Sequence, residues 1–289
     1  MHTGETDGWN HPRPAQWHRP VFGLLLLAVA VNLSSAALNL GPEPSCSVAL
    51  EGAPWTLAVI SLGVGLARRL PLQNIVFASF GLLLASTALE LLTAQTGVPF
   101  GLRRATAGGG CFGMPWFAPF IWAALTLSAR GLARLMLKPF RQTRFYGLWV
   151  LGVAGALISS AWLAVVPVAA AGNWWEFHVP ATALNWHGMP LLAQPAIAVA
   201  ALLQLAFVTP WLLNKKPVRQ PLDLHPLAVW VCLLGWLLAR QAIAGMRGPM
   251  LPTVTLLTAS VFATFWGIRT RQSVSSRQAD WQATVTESD

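Results

Sequence analysis

Eight stretches of this chain are too apolar, and too nearly free of charge, to fold in water as anything but a buried bundle. They are 21–40, 53–68, 74–94, 115–129, 146–170, 191–213, 227–244 and 250–268. A bilayer core of about 30 Å needs about 20 apolar residues per helix. The second and fourth stretches are short, which suits a different tilt, extension into flanking residues, or a re-entrant segment. Only 10% of the 289 residues are Asp, Glu, Lys or Arg, and 55% are hydrophobic. A soluble domain carries about 25% charge, and a disordered chain carries more charge on less apolar sequence. The fold class expected is an all-α integral membrane bundle of about eight transmembrane helices.

The basic residues orient that bundle. Lys and Arg mark the side that stays in the cytoplasm. With the N-terminus inside, fifteen of the nineteen basic residues fall on one side, in the clusters around Arg13, Arg68, Arg130–Arg144, Lys215 and Arg269. Arg103, Arg104 and Arg247 fall outside, and Arg240 falls within a span. Both termini are therefore expected to be cytoplasmic. The net charge of +9 belongs to this asymmetry and points to membrane lipid rather than nucleic acid as a partner. Residues 1–20 read as a cytoplasmic tail, 21–268 as the transmembrane domain and 270–289 as a disordered cytoplasmic tail. The first span reads as a retained signal anchor, since its polar lead is long for a cleaved signal.

A weak repeat runs through the outer loops. Phe112-Gly113-Met114-Pro115 precedes the fourth span and His187-Gly188-Met189-Pro190 precedes the sixth. Proline suits a helix start, and glycine permits a tight turn before it. This is either a parallel two-helix repeat framing a site between its halves or one local device used twice.

Ionisable groups inside spans are costly and become functional candidates by default. Glu90 is the foremost. Ser79, Ser86, Glu90 and Thr93 follow one another at helical spacing and share a face that should look into the bundle. Arg240 lies at a similar depth, so two readings stand. One is a structural Glu90–Arg240 ion pair. The other is a carboxyl in an apolar site, kept protonated by desolvation and able to act as an acid. Arg103 and Arg104 follow a turn built on Gly97, Pro99 and Gly101, and either contact lipid phosphate or hold a carboxylate such as Glu90. The next outer loop carries Trp174, Trp175, Glu176, His178, Trp186 and His187. Its tryptophans read as an interfacial belt, and Glu176 with His178 as a solvated pair or an acid–base set. No metal spacing is visible, and no cofactor is expected. Cys46 and Cys111 both fall in outer loops and could pair there if that side is oxidising. Asp223 and His225 read as helix-start capping.

The run Glu90, Gly97-x-Pro99-Phe100-Gly101, Gly113-Met114-Pro115 and Trp122 resembles the carotenoid biosynthesis protein family, which includes membrane hydratases of acyclic carotenoid ends. Trp174 and Gly188-Met189-Pro190 resemble its second block, so the likeness covers roughly residues 70–215. Where the family carries tyrosines after the Phe-Gly turn, this chain has Arg103 and Ala105. Val166-Pro167 stands where the family has Asp-Pro, and Ala193-Gln194 where it has an Asn.

The resemblance implies acid-catalysed hydration of a terminal C=C bond of an acyclic carotenoid or other isoprenoid lipid taken from the bilayer. The chain would then sit as a multi-pass protein in a bacterial inner membrane, with other enzymes of the pathway as candidate partners. Glu90 would be the general acid, tuned by Arg103, Arg104 or Arg240, with Glu176 in reserve as acid or water-activating base. Pro99, Phe100, Gly101, Trp116, Trp122 and Trp174 would line the substrate, their π faces tolerating a cation. Two other readings remain open: a non-catalytic carotenoid-binding or assembly protein, and a small-solute transporter. Nearly charge-free spans and the lack of clearly broken helices weigh against the transporter.

Overall fold

The computed structural model describes residues 17–38, 44–106, 110–178, 184–213 and 222–286, with backbone alone for 44–48, 111 and 271–286. Eight helices follow one another: α1 (His18–Ala37), α2 (Pro44–Ala67), α3 (Leu72–Thr96), α4 (Ala118–Met136), α5 (Tyr146–Ala171), α6 (Ala193–Val208), α7 (His225–Ile243) and α8 (Arg247–Thr286). Among the described residues, six are long and apolar enough to cross a membrane: α1, α3, α5, α7 and the stretches Ala49–Ala67 of α2 and Arg247–Thr270 of α8. This is a multi-pass membrane protein.

α4 is the pivot of the bundle. It packs against α2, α3, α5, α6, α7 and α8, while α1 lies outside against α2 and α7. Fifteen of its nineteen residues are buried. A helix shielded by neighbours on nearly all sides can carry Arg130, whose guanidinium donates to the Leu212 carbonyl at 3.2 Å. The short apolar run seen in the sequence thus extends past Arg130 to Met136. α6 is the opposite case. Its apolar run reaches 213, yet the helix stops at Val208, because Pro210 has no N–H to continue the ladder. α8 is helical as far as Thr286. Residues 271–286 contain no proline or glycine, and extending an existing helix costs far less than nucleating one.

The connections at one end contain structure that periodicity did not reveal. Three antiparallel ribbons form there: β1 (Arg103–Ala105) with β4 (Trp175–Phe177), β2 (Gly110–Cys111) with β3 (Met114–Pro115), and β5 (Asn185–Trp186) with β6 (Met189–Pro190). The two Gly-Met-Pro motifs are these last two ribbons. Each turns through two residues of positive φ, Phe112 and Gly113 (55° and 84°) or His187 and Gly188 (48° and 89°). That is the two-residue hairpin whose twist matches its strands, and glycine at its second position avoids the Cβ clash. The same local device therefore precedes both α4 and α6. The β1–β4 ladder ties the α3–α4 loop to the α5–α6 loop and lays both over the ribbon end of the bundle.

Candidate buried acid centre

Glu90 sits on the inward face of α3, 1% exposed, beside Ser86 and Thr93, which are also buried. The helix ends on Gly97, whose left-handed backbone (φ 75°) turns the chain back. Gly101 is likewise left-handed, and a Cβ there would stand 2.9 Å from the Pro190 ring. That contact seats the turn on the second Gly-Met-Pro hairpin. β1 then begins at Arg103, with its side chain inward and Arg104 outward.

Arg103 is also 1% exposed, and its Nη2 donates to both oxygens of Glu90, at 2.5 and 2.6 Å. Trp122 of α4 donates its indole N–H to Glu90 Oε1 at 2.7 Å. The guanidinium carbon lies 4.7 Å from the Trp175 ring, 5.3 Å from Phe100 and 5.5 Å from Trp162. Phe100 stacks on Trp122, and Trp122 meets Trp162 at 4.9 Å. A cation is thus held against aromatic faces and completed by one carboxylate. Arg103 Nε and Nη1 and the indole N–H groups of Trp162 and Trp175 are buried without a hydrogen-bond partner among the described residues.

The remaining expected site residues scatter. Arg240 is not beside Glu90, and this corrects the Glu90–Arg240 reading. Its Nη1 reaches Glu51 Oε1 at 2.7 Å and Asn32 Oδ1 at 2.9 Å, because that face of α7 meets α1 and α2 rather than α3. Arg104 stands opposite Glu176 in the ladder and both are exposed, so neither enters the Glu90 centre. His178 extends that ladder through its backbone N–H to the Leu102 carbonyl. Trp116 rests on α2, where a Cβ on Gly52 would fall 2.2 Å from its ring. Trp174 and Trp175 are 4% and 3% exposed. They form no interfacial belt, since the β1–β4 ladder folds them into the bundle. Trp174 meets Phe117 edge-on and stacks on Trp236. The cysteine pairing of Cys46 and Cys111 lies outside the described side chains.

Glu51 is the residue the sequence reading missed. It sits two turns into α2, and Asn32 ties the corner together by donating to the Leu50 carbonyl and accepting from Trp236. Its signal was present as a lone acid beside an apolar run.

An apolar groove of about 730 Å³ runs along the lipid side between α3 and α6. Ala85 and Leu89 form one wall, Pro99 and Leu192 its ribbon end, and Val199, Leu203 and Phe207 the opposite wall. Leu89 and Pro99 are the chain neighbours of Glu90 and Phe100, but no residue of the acid centre itself lines the groove.

A family model described as carotenoid biosynthesis protein matches residues 52–265, well over half of the chain. The match takes in every element of the Glu90 centre. No curated protein and no solved structure matches.

Proposed function

The chain belongs to the carotenoid biosynthesis protein family, and on that premise we propose that it adds water to a terminal C=C bond of an acyclic carotenoid drawn from the bilayer. The carotenoid lies in the α3/α6 groove with one end at Pro99 and Leu192, close to the ribbon end and its water. A carboxyl proton adds to the less substituted alkene carbon. Positive charge forms on the tertiary carbon, a water oxygen bonds there, and the proton it sheds returns to the carboxylate. The steps consume one water and regenerate the acid.

The observation that carries this reading is the aromatic wall around Glu90. Phe100, Trp162 and Trp175 already face one buried cation, that of Arg103, and the same faces suit a carbocation. Glu90 acts as acid only once Arg103 yields an oxygen, so Arg103 is the positioning residue of this scheme. Arg104 and Glu176 remain at the exposed surface and take no part in this scheme.

A second reading, non-catalytic carotenoid binding, has its own support. Both Glu90 oxygens are taken by Arg103, and the side chain is sealed. Reconstitution with an acyclic carotene and mass analysis of the extracted pigment separates the two. Hydration gives a gain of one water with the wild type and none with Glu90→Gln, which still retains pigment. Pigment held by the wild type with no mass gain leaves binding as the function.

A further inference from the structure

The end of the bundle opposite the ribbons carries a cluster of positive charge that the acid chemistry does not use. Arg68 and Arg69 form the turn between α2 and α3, and Arg134 stands in the last turn of α4. Arg69 pairs with Asp223 at 3.5 Å. Among the described side chains Asp223 is the only carboxylate at this end, since Glu51, Glu90 and Glu176 lie toward the ribbons. Arg68 and Arg134 are exposed and make no ion pair among the described residues. Burial holds the Arg69 guanidinium below its ordinary value; Asp223 offsets this, and repulsion from Arg68 and Arg134 adds to it. Three cations thus share one carboxylate, and a further anion would relieve their repulsion.

An exposed apolar stripe begins beside that cluster. Leu72, Val76, Phe80 and Leu84 of α3 are 68%, 54%, 65% and 61% exposed. Their spacing of four residues keeps them on one broad face. Leu72 follows Arg69 by three residues. At a rise of about 1.5 Å per residue the stripe runs roughly 18 Å down the helix. One leaflet of the hydrocarbon core is about 15 Å deep, so the stripe matches the reach of an acyl chain. Guanidinium groups take phosphate oxygens through paired N–H donors. Charge at the head of a hydrocarbon track is the complement of a phospholipid, whereas a soluble anion would use the head alone.

We propose that Arg68, Arg69 and Arg134 bind the phosphate of an anionic phospholipid, with an acyl chain laid along Leu72, Val76, Phe80 and Leu84. The site lies at the far end of α3 from Glu90 and does not depend on the carotenoid reading.

Native mass spectrometry of the full chain, released from detergent micelles, tests the site. The chain is titrated with phosphatidylglycerol or with phosphatidylcholine of the same acyl chains. The wild type should bind one phosphatidylglycerol about tenfold more tightly than phosphatidylcholine. Arg68→Gln with Arg134→Gln should weaken that binding about thirtyfold, and Arg68→Gln alone about fivefold, the scale of each lost basic contact. Neither should change the binding of phosphatidylcholine. Arg141→Gln with Arg144→Gln removes the same charge from exposed residues of the α4–α5 connection at the same end. That variant should bind phosphatidylglycerol as the wild type does. An equal loss in both double variants means a diffuse field rather than a site and overturns the proposal. Equal binding of the two lipids overturns it too. Displacement of phosphatidylglycerol by an equal concentration of inorganic phosphate does the same, since the site would then serve a soluble anion. The readout is lipid mass, so the hydration reading stands or falls separately.

Discussion

Two buried glutamate–arginine pairs lie at the ribbon end, and they are built differently. Glu90 and Arg103 are thirteen residues apart, joined by one helix end and one turn, and each is 1% exposed. Glu51 and Arg240 come from α2 and α7, each is 14% exposed, and Asn32 of α1 bridges them to Trp236. In the first pair one guanidinium nitrogen takes both carboxylate oxygens and aromatic rings cover the rest. In the second, Glu51 Oε2 is buried with no hydrogen-bond partner among the described residues. Local chain geometry sealed one pair from solvent, with Arg103 Nε and Nη1 left unpartnered among the described residues. The other was assembled from three helices and stays partly wet.

That contrast sets an order of sensitivity. Arg103→Met strands a sealed carboxylate and should cost about 3–5 kcal/mol, the usual loss when one partner of a buried pair is removed. Thermal unfolding in detergent measures it. The double variant Glu90→Leu with Arg103→Met should recover most of that loss, because an apolar pair fits an apolar site. Failure to recover would mean that the pair shapes the β1–β4 ladder as well as balancing charge. Arg240→Met should cost less, about 1–3 kcal/mol, since solvent reaches Glu51. A loss equal to that of Arg103→Met would erase the distinction drawn here. Gly101→Ala puts a Cβ on a left-handed backbone against Pro190 and should cost about 1–2 kcal/mol. The exposed couple gives the smallest effect. Arg104→Gln or Glu176→Gln should move stability by no more than about 0.5 kcal/mol, and a larger shift would show the ladder to be electrostatically held.

The same contrast explains what could be read beforehand. Glu90 was legible because Ser86, Glu90 and Thr93 repeat at helical spacing within an apolar run. Arg103 was one of two named candidates, but only the pleat of β1 decides that it points in and Arg104 out. Strands of two or three residues leave no periodicity to detect, so the ladder was invisible, and with it the burial of Trp174 and Trp175. Glu51 was lost for another reason. The apolar run was read from 53, whereas α2 begins at Pro44 and passes through Pro54. Arg240 was noticed, but its partner depends on which neighbours α7 faces, and the sequence does not encode that locally. Four of the eight helices, α1, α3, α5 and α7, fall within three residues of their apolar runs at both ends. α2 starts well before its run, and α6 stops well before the end of its own, where Pro210 outweighs hydropathy.

The indoles of Trp122, Trp162, Trp175, Trp174, Trp236 and Trp55 form an unbroken series of ring contacts, each between 4.9 and 6.4 Å. Excitation absorbed by any one of them can hop along the whole set. A polyene lodged in the α3/α6 groove would be an acceptor for that excitation. If the groove holds pigment as proposed, the ultraviolet emission of the bundle should dim with occupancy, without any attached dye.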